Sequence, residues 1–111
     1  MKLQDNDDLE TRIIKTFLDI LILKHLKKSP LNSGYQILQH LYNELNMSFS
    51  PATVYHAIYL LERKNLIKCQ GEENGRIYAL TDQGERALRS TADSSIKIQN
   101  LVDSILSEQS N

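Results

Sequence analysis

From Ser50 to Asn65 the apolar positions recur at three and four: Val54, Ala57, Ile58 and Leu61 fall on one helical stripe. Ala52, Thr53, His56, Tyr59, Leu60 and Arg63 fall opposite it. Both ends of this helix are marked. Ser50 can accept a hydrogen bond from an early backbone N–H, and Pro51 suits the first helical position. Asn65 tolerates the left-handed conformation that closes a helix. Thr53, His56, Tyr59 and Arg63 all carry hydrogen-bond donors at neutral pH. A buried stripe backed by a donor-bearing face suits a helix that reads DNA, although a plain amphipathic helix with a solvated face has the same pattern. The neighbouring segments bear on the choice.

Residues 1–8 are polar, acidic and without period, and read as a disordered N-terminus. A first helix is expected from about Asp8 to Lys28, with acids in its first turn and cations in its last. Beyond Thr16 it is apolar nearly all round, so it needs cover on more than one side. Ser29-Pro30-Leu31-Asn32 breaks it. Ser33-Gly34-Tyr35-Gln36 then has capping-box spacing and opens a second helix with Ile37, Leu38, Leu41 and Leu45 on one face. His40 falls on the other face, toward solvent. Met47-Ser48-Phe49 reads as a short extended link before the Ser50 helix. Strands are expected at Leu66–Gln70 and Arg76–Leu80, joined through Asn74-Gly75, a strong hairpin signal. Thr81 reads as the next N-cap. A last helix is expected from Asp82 to about Glu108, weakened at Gly84 and over 89–95, with Ile98, Leu101, Val102 and Ile105 on one stripe. Nothing later in the chain covers that stripe.

The order helix–helix–helix–hairpin–helix predicts a mainly α fold with a small β-hairpin wing: a winged helix-turn-helix flanked by N- and C-terminal dimerisation helices. The expected division is 1–8 disordered, 9–81 winged helix-turn-helix, 82–108 C-terminal dimerisation helix and 109–111 tail.

Composition narrows this picture. A chain of 111 residues is most simply one domain, small enough to gain from a partner. The net charge of −1 does not itself suggest a nucleic-acid partner, but its distribution does. Residues 12–80 carry nine Lys/Arg against five acids, while both ends are acidic. The single cysteine, Cys69, excludes an intramolecular disulfide and fits a reducing compartment. His25, His40 and His56 have no ligand-like spacing, so no metal or other cofactor is expected. The most apolar stretch, Phe17–Leu26, contains Asp19 and Lys24 and is far shorter than the roughly 20 residues of a membrane span, so no membrane partner is expected. The acidic start lacks the positive charge of a signal peptide, and a cytoplasmic, nucleoid-associated location is expected. No Ser/His/Asp or Cys/His set, paired carboxylates or glycine-rich phosphate loop supports an enzyme.

Four motifs in order support a family resemblance over about residues 20–88. Ser33-Gly34-Tyr35-Gln36-Ile37 is similar to G-Y-E/D-I. Ser50-Pro51-Ala52-Thr53-Val54-Tyr55-His56-Ala57-Ile58 is similar to S-P-x-T-V-Y-x-A-L. Leu61-Glu62 to Leu66-Ile67 is similar to L-E-x-x-G-L-I, and Arg76-Ile77-Tyr78-Ala79-Leu80-Thr81-Asp82-Gln83-Gly84 to R-x-Y-x-L-T-x-x-G. The chain thus resembles the PadR family of winged-helix transcriptional regulators, and its short C-terminal helix resembles the small subgroup that dimerises through that helix. Three departures from the pattern involve four positions. His56 stands where a proline is common, Tyr59 and Leu60 where basic residues are common, and Asn65 where glycine is usual.

The resemblance implies a sequence-specific DNA-binding regulator, a repressor, acting as a homodimer on double-stranded DNA. Thr53, Tyr55, His56, Tyr59 and Arg63 are the expected groove contacts, with Tyr55 on the flank between phosphate contact and burial. Ser33 and Tyr35 are expected at phosphate beside a helix N-terminus, and Arg76 and Lys68 on the wing at backbone or minor groove. Ile13, Phe17, Ile98, Leu101, Val102 and Ile105 are expected in the dimer interface. The family often senses small apolar or phenolic ligands, which leaves room for a small-molecule effector, here without a tryptophan platform. A winged helix used for protein–protein contact and a sequence-indifferent chromatin-type DNA-binding protein are the alternative readings.

Overall fold

The computed structural model describes residues 8–45, 50–71 and 75–108. The expectations for residues 1–7, for Met47-Ser48-Phe49, for Asn74 and for the tail 109–111 lie outside the described residues. The elements are α1 (Leu9–Thr16), α2 (Leu18–Lys28), β1 (Asn32–Ser33), α3 (Gly34–Leu45), α4 (Pro51–Arg63), β2 (Ile67–Gln70), β3 (Ile77–Leu80), α5 (Asp82–Asp93) and α6 (Ser95–Leu106). The fold is mostly helical with a small antiparallel sheet in the order β1-β3-β2, a winged helix.

The core lies where α2, α3 and α4 meet the sheet. Leu18, Ile22, Leu23 and Leu26 of α2, Ile37, Leu38 and Leu41 of α3, and Val54, Ile58 and Leu61 of α4 are buried together with Ile67 and Tyr78. Helix α2 packs against α3, α4, α5 and β3, which is why so much of its circumference is apolar.

Local capping follows the sequence closely. Ser33 Oγ accepts the Gln36 N–H and Gln36 Oε1 accepts the Ser33 N–H, a reciprocal capping box. Ser50 caps α4 by accepting from Thr53 N–H. At the other end Asn65 has φ +63°; its N–H donates to Glu62 O and the Leu66 N–H to Leu61 O, the two bonds of a Schellman closure. Asp8, grouped with the disordered terminus from sequence, instead caps α1 by accepting the Thr11 N–H at 2.7 Å, and this bond lowers its pKa.

Both long helices expected from the sequence are broken. The first divides at Phe17, whose N–H is shared between the Ile13 and Ile14 carbonyls. At the preceding residue Thr16 Oγ1 donates to the Arg12 carbonyl, a side-chain bond of the kind that bends helices. The last divides at Ser94 and ends at Leu106 rather than Glu108. There Thr91 Oγ1 donates to Ala87 O and Ser94 Oγ to Ser90 O, so two such bonds load the same turn.

Three further features were not expected. Asn32, read as the end of a helix break, and Ser33, read as a helix cap, form β1 and pair with Tyr78 and Ile77 of β3. His40 does not simply face solvent: its ring stacks on His25 with centroids 3.9 Å apart. His25 is buried and its Nε2 lies 2.7 Å from Asn32 Oδ1. Asn32 Nδ2 donates to Ser29 O, which turns the amide oxygen to the ring and makes His25 Nε2 the donor.

Gly84 does not weaken α5; it permits its docking. A Cβ there would lie 2.1 Å from the Leu66 carbonyl oxygen and 2.8 Å from Leu80 Cδ1. Thr81 ties the same corner: its Oγ1 accepts the Gly84 N–H and donates to Asn65 O at 2.7 Å. An ion pair between Lys27 and Glu85 joins α2 to α5 and lowers the Glu85 pKa.

Two outcomes are expected. Gly84→Ala must push α5 off the Leu66 carbonyl and should cost about 2 kcal/mol, read as a lower urea midpoint at unchanged slope. Burial, helped by His25 and Lys28 and opposed by Glu44, holds the His40 pKa below its ordinary 6.5. The unfolded chain therefore binds the proton more readily, so stability should begin to fall as pH drops through 6.5 and level off once pH is below the depressed folded value. His40→Gln should flatten that part of a melting-temperature-against-pH curve.

Candidate nucleic-acid interface

The buried stripe of α4 fixes what its other face presents. Val54, Ile58 and Leu61 are at most 2% exposed, so His56, Tyr59, Leu60 and Arg63 are turned outward. Arg63 Nη1 donates to Tyr59 Oη at 3.0 Å, one turn back, and its guanidinium lies 5.7 Å from the centre of that ring. The His56 ring is on the other side, 6.4 Å from Tyr59. The three form a continuous row of imidazole, phenol and guanidinium along the helix. Thr53 is half-buried at the start of the helix, its Oγ1 3.0 Å from Ser50 Oγ. With His56 and Leu60 it borders a hollow of about 250 Å³ against Lys15 and Asp19.

The other flank of α4 faces the wing across a cleft of about 600 Å³ walled by Tyr55, Ile58, Tyr59, Glu62, Arg63, Arg76 and Tyr78. Four sequence-predicted residues, Tyr55, Tyr59, Arg63 and Arg76, thus meet around one cleft. Tyr55 lies on Gly34: a Cβ at that glycine would be 2.7 Å from Tyr55 Cε1. The ring joins α4 to the start of α3 while remaining 42% exposed.

Arg76 is not a free cation. Its Nη2 donates to both carboxylate oxygens of Glu62, at 2.9 and 2.8 Å, and its Nε donates to Tyr78 Oη at 3.0 Å. The Tyr78 phenol and the Glu62 carboxylate both raise the pKa of the guanidinium. Sequence reasoning placed Glu62 and Tyr78 inside motifs but assigned neither to the site. The pairing joins residues 14 apart across the α4–wing junction, so no local spacing signals it.

Of the remaining expected contacts, Ser33 is committed to the α3 capping box, and Tyr35, 61% exposed, accepts a hydrogen bond from Gln39 Nε2. Lys68 stands exposed on β2, in register with Ala79.

The expected dimer residues fall into two groups. Ile13, Phe17, Ile98 and Val102 are half-buried, while Leu101 and Ile105 are 57% and 67% exposed. No residue of α6 is buried. Ile98 borders a groove of about 520 Å³ with Ile20, Leu88 and Ala92. Among the described residues, no cluster of three or more His, Cys, Asp or Glu could hold a metal ion, and no helix is long and apolar enough to cross a membrane.

Comparison with known proteins agrees with this fold. Residues 22–90, more than half of the chain, match the model of the transcriptional regulator PadR-like family. A PadR family transcription regulator from Clostridium difficile is 29% identical, with a TM-score of 0.65 over 81% of this chain and 98% of that one. A transcriptional regulator from Clostridium thermocellum is 22% identical, with a TM-score of 0.72 over 86% and 95%. A PadR-like transcriptional regulator from Bacillus cereus shares the fold at 19% identity, with a TM-score of 0.69 over 88% and 99%. No curated protein is a significant match. With a winged helix whose α4 is exposed along one face, and a family match across it, this chain belongs to the PadR-like family of DNA-binding transcriptional regulators.

Proposed function

We propose that the protein is a homodimeric, sequence-specific DNA-binding repressor, with one α4 helix of each subunit in a major groove. The observation that carries this reading is the exposed row His56–Tyr59–Arg63 on a helix whose opposite stripe is sealed into the core. With Thr53 nearest the base edges, this row offers donors and aromatic faces where a groove presents acceptors and thymine methyls. Tyr55 borders the groove from its seat on Gly34. Ser33 and Tyr35, at the start of α3, meet phosphate beside a helix N-terminus, and Lys68 and Arg76 bring the wing to the backbone or minor groove. Repression rests on the family resemblance.

The dimer reading rests on α6. Ile96, Leu101, Ile105 and Leu106 are half or more exposed, an apolar surface that needs a cover. In the proposed dimer the stripe of Ile98, Leu101, Val102 and Ile105 packs on Ile13 and Phe17 of the partner. Two α4 helices must then lie one helical turn apart, about 34–36 Å, to meet successive major grooves. The groove beside Ile98 is the natural seat for a small apolar effector.

Selection from randomised duplexes should return a palindrome, and Arg63→Gln should weaken binding to the selected duplex on the order of tenfold. Unchanged affinity would remove Arg63 from the interface, and equal affinity for random duplexes would replace this reading with a sequence-indifferent one. Light scattering at micromolar concentration should give twice the chain mass, and Leu101→Glu with Ile105→Glu should give a monomer. A monomeric wild-type protein would refute the dimer.

A further inference from the structure

We propose that Glu62 is a specificity-determining residue of the DNA interface: it holds the Arg76 guanidinium so that this wing cation is withheld from arbitrary phosphate and released only where α4 has seated on its own sequence. The inference rests on the DNA-reading assignment of α4 made above.

Glu62 is the only acid among the described residues from Ser50 to Leu80, the segment that holds the reading helix and the wing. Arg63, Lys64, Lys68 and Arg76 are the cations of that segment. That carboxylate sits against the wing arginine, with both of its oxygens engaged by the same nitrogen. Tyr78 fixes the guanidinium from the other side through Nε. The Arg76 side chain is 56% exposed and that of Glu62 32%, so the pair lies at the mouth of the cleft rather than in the core. An exposed ion pair of this kind contributes little to stability. Its larger effect is on the charge that the DNA-facing surface offers.

Binding to random DNA is driven by phosphate neutralisation, and each cation that neutralises a phosphate adds about 0.9 to the slope of log K against log salt. Arg76 cannot add its share without leaving Glu62, and its departure would strand a carboxylate beside a polyanion. That exchange is favourable only if a phosphate is held close and in register. Base contacts along α4 supply this on a matching site and not elsewhere. Glu62 therefore suppresses non-specific binding more than specific binding, which raises the ratio between them.

The test is fluorescence-anisotropy titration across a salt series, using a duplex selected from a randomised pool and a random-sequence duplex of equal length. Glu62→Gln should tighten random-duplex binding and steepen its salt slope by about 0.9, which makes the loss of affinity between 50 and 200 mM salt about threefold larger. The preference for the selected duplex should shrink. Arg76→Gln should leave the random-duplex slope unchanged and weaken the selected duplex. The double substitution should return the random-duplex slope to the wild-type value. Three results would overturn the proposal: an unchanged random-duplex slope in Glu62→Gln, equal weakening of both duplexes by that substitution, or a random-duplex slope flattened by about 0.9 in Arg76→Gln. Wild-type protein that selects no sequence would instead refute the sequence-specific reading, while the random-duplex slopes would still decide whether Glu62 masks Arg76.

Discussion

The contact on which the rest depends is the seating of Val54, Ile58 and Leu61 on α2 and α3. These side chains are sealed from solvent, and the helix that carries them is closed at both ends by Ser50 and by the Asn65 Schellman bonds. Turning α4 by one residue, about 100°, would carry Tyr59 toward the place of Ile58 and put a phenol without a hydrogen-bond partner into the core. The rotation of α4 is therefore fixed by burial, and the outward row of His56, Tyr59 and Arg63 follows from it. Helix α2 makes this possible because it packs against α3, α4, α5 and the sheet at once, with Ile22 fully enclosed.

Features set by neighbours in sequence were legible before the fold was known. The Ser50 cap, the Ser33–Gln36 capping box, the left-handed Asn65 and the Thr81 cap are each written within a few residues, so local geometry decides them. The hydrophobic periods likewise gave the core faces of α3 and α4. Features made by distant partners were not legible. Glu62 and Arg76 meet across the wing junction, and His25 meets His40 only because α2 and α3 cross there. Gly84 looks like a helix weakness in one dimension and is a docking surface in three. The breaks at Phe17 and Ser94 were missed for a different reason. Threonine and serine can bond to the preceding turn in any helix, and which of them do so is decided by packing.

A helix of 12 residues is marginal on its own in water, and α6 buries no residue to offset the entropy of ordering it. Among pairs of elements in extensive contact, α6 meets α5 alone. In the proposed dimer the cover that α6 lacks is the Ile13–Phe17 surface of a second copy, because a two-fold axis lets each chain supply what the other needs. In the proposed dimer the same axis sets the spacing of the two reading helices, so the hydrophobic effect at one end of the molecule fixes recognition geometry at the other.

A DNA-binding protein with many free cations gains affinity on every sequence, because every sequence carries the same phosphates. Here the reading helix offers Tyr59 and Leu60 where its relatives by resemblance are basic, and one of the wing cations is paired with Glu62. Affinity in such a protein must come from elsewhere. Linking two reading helices in one dimer makes the second contact intramolecular, and that gain is available only on duplexes with both half-sites in register. In the proposed dimer a weakly cationic surface and a second subunit are thus complementary: the first lowers binding to DNA in general, and the second restores it on the DNA that fits.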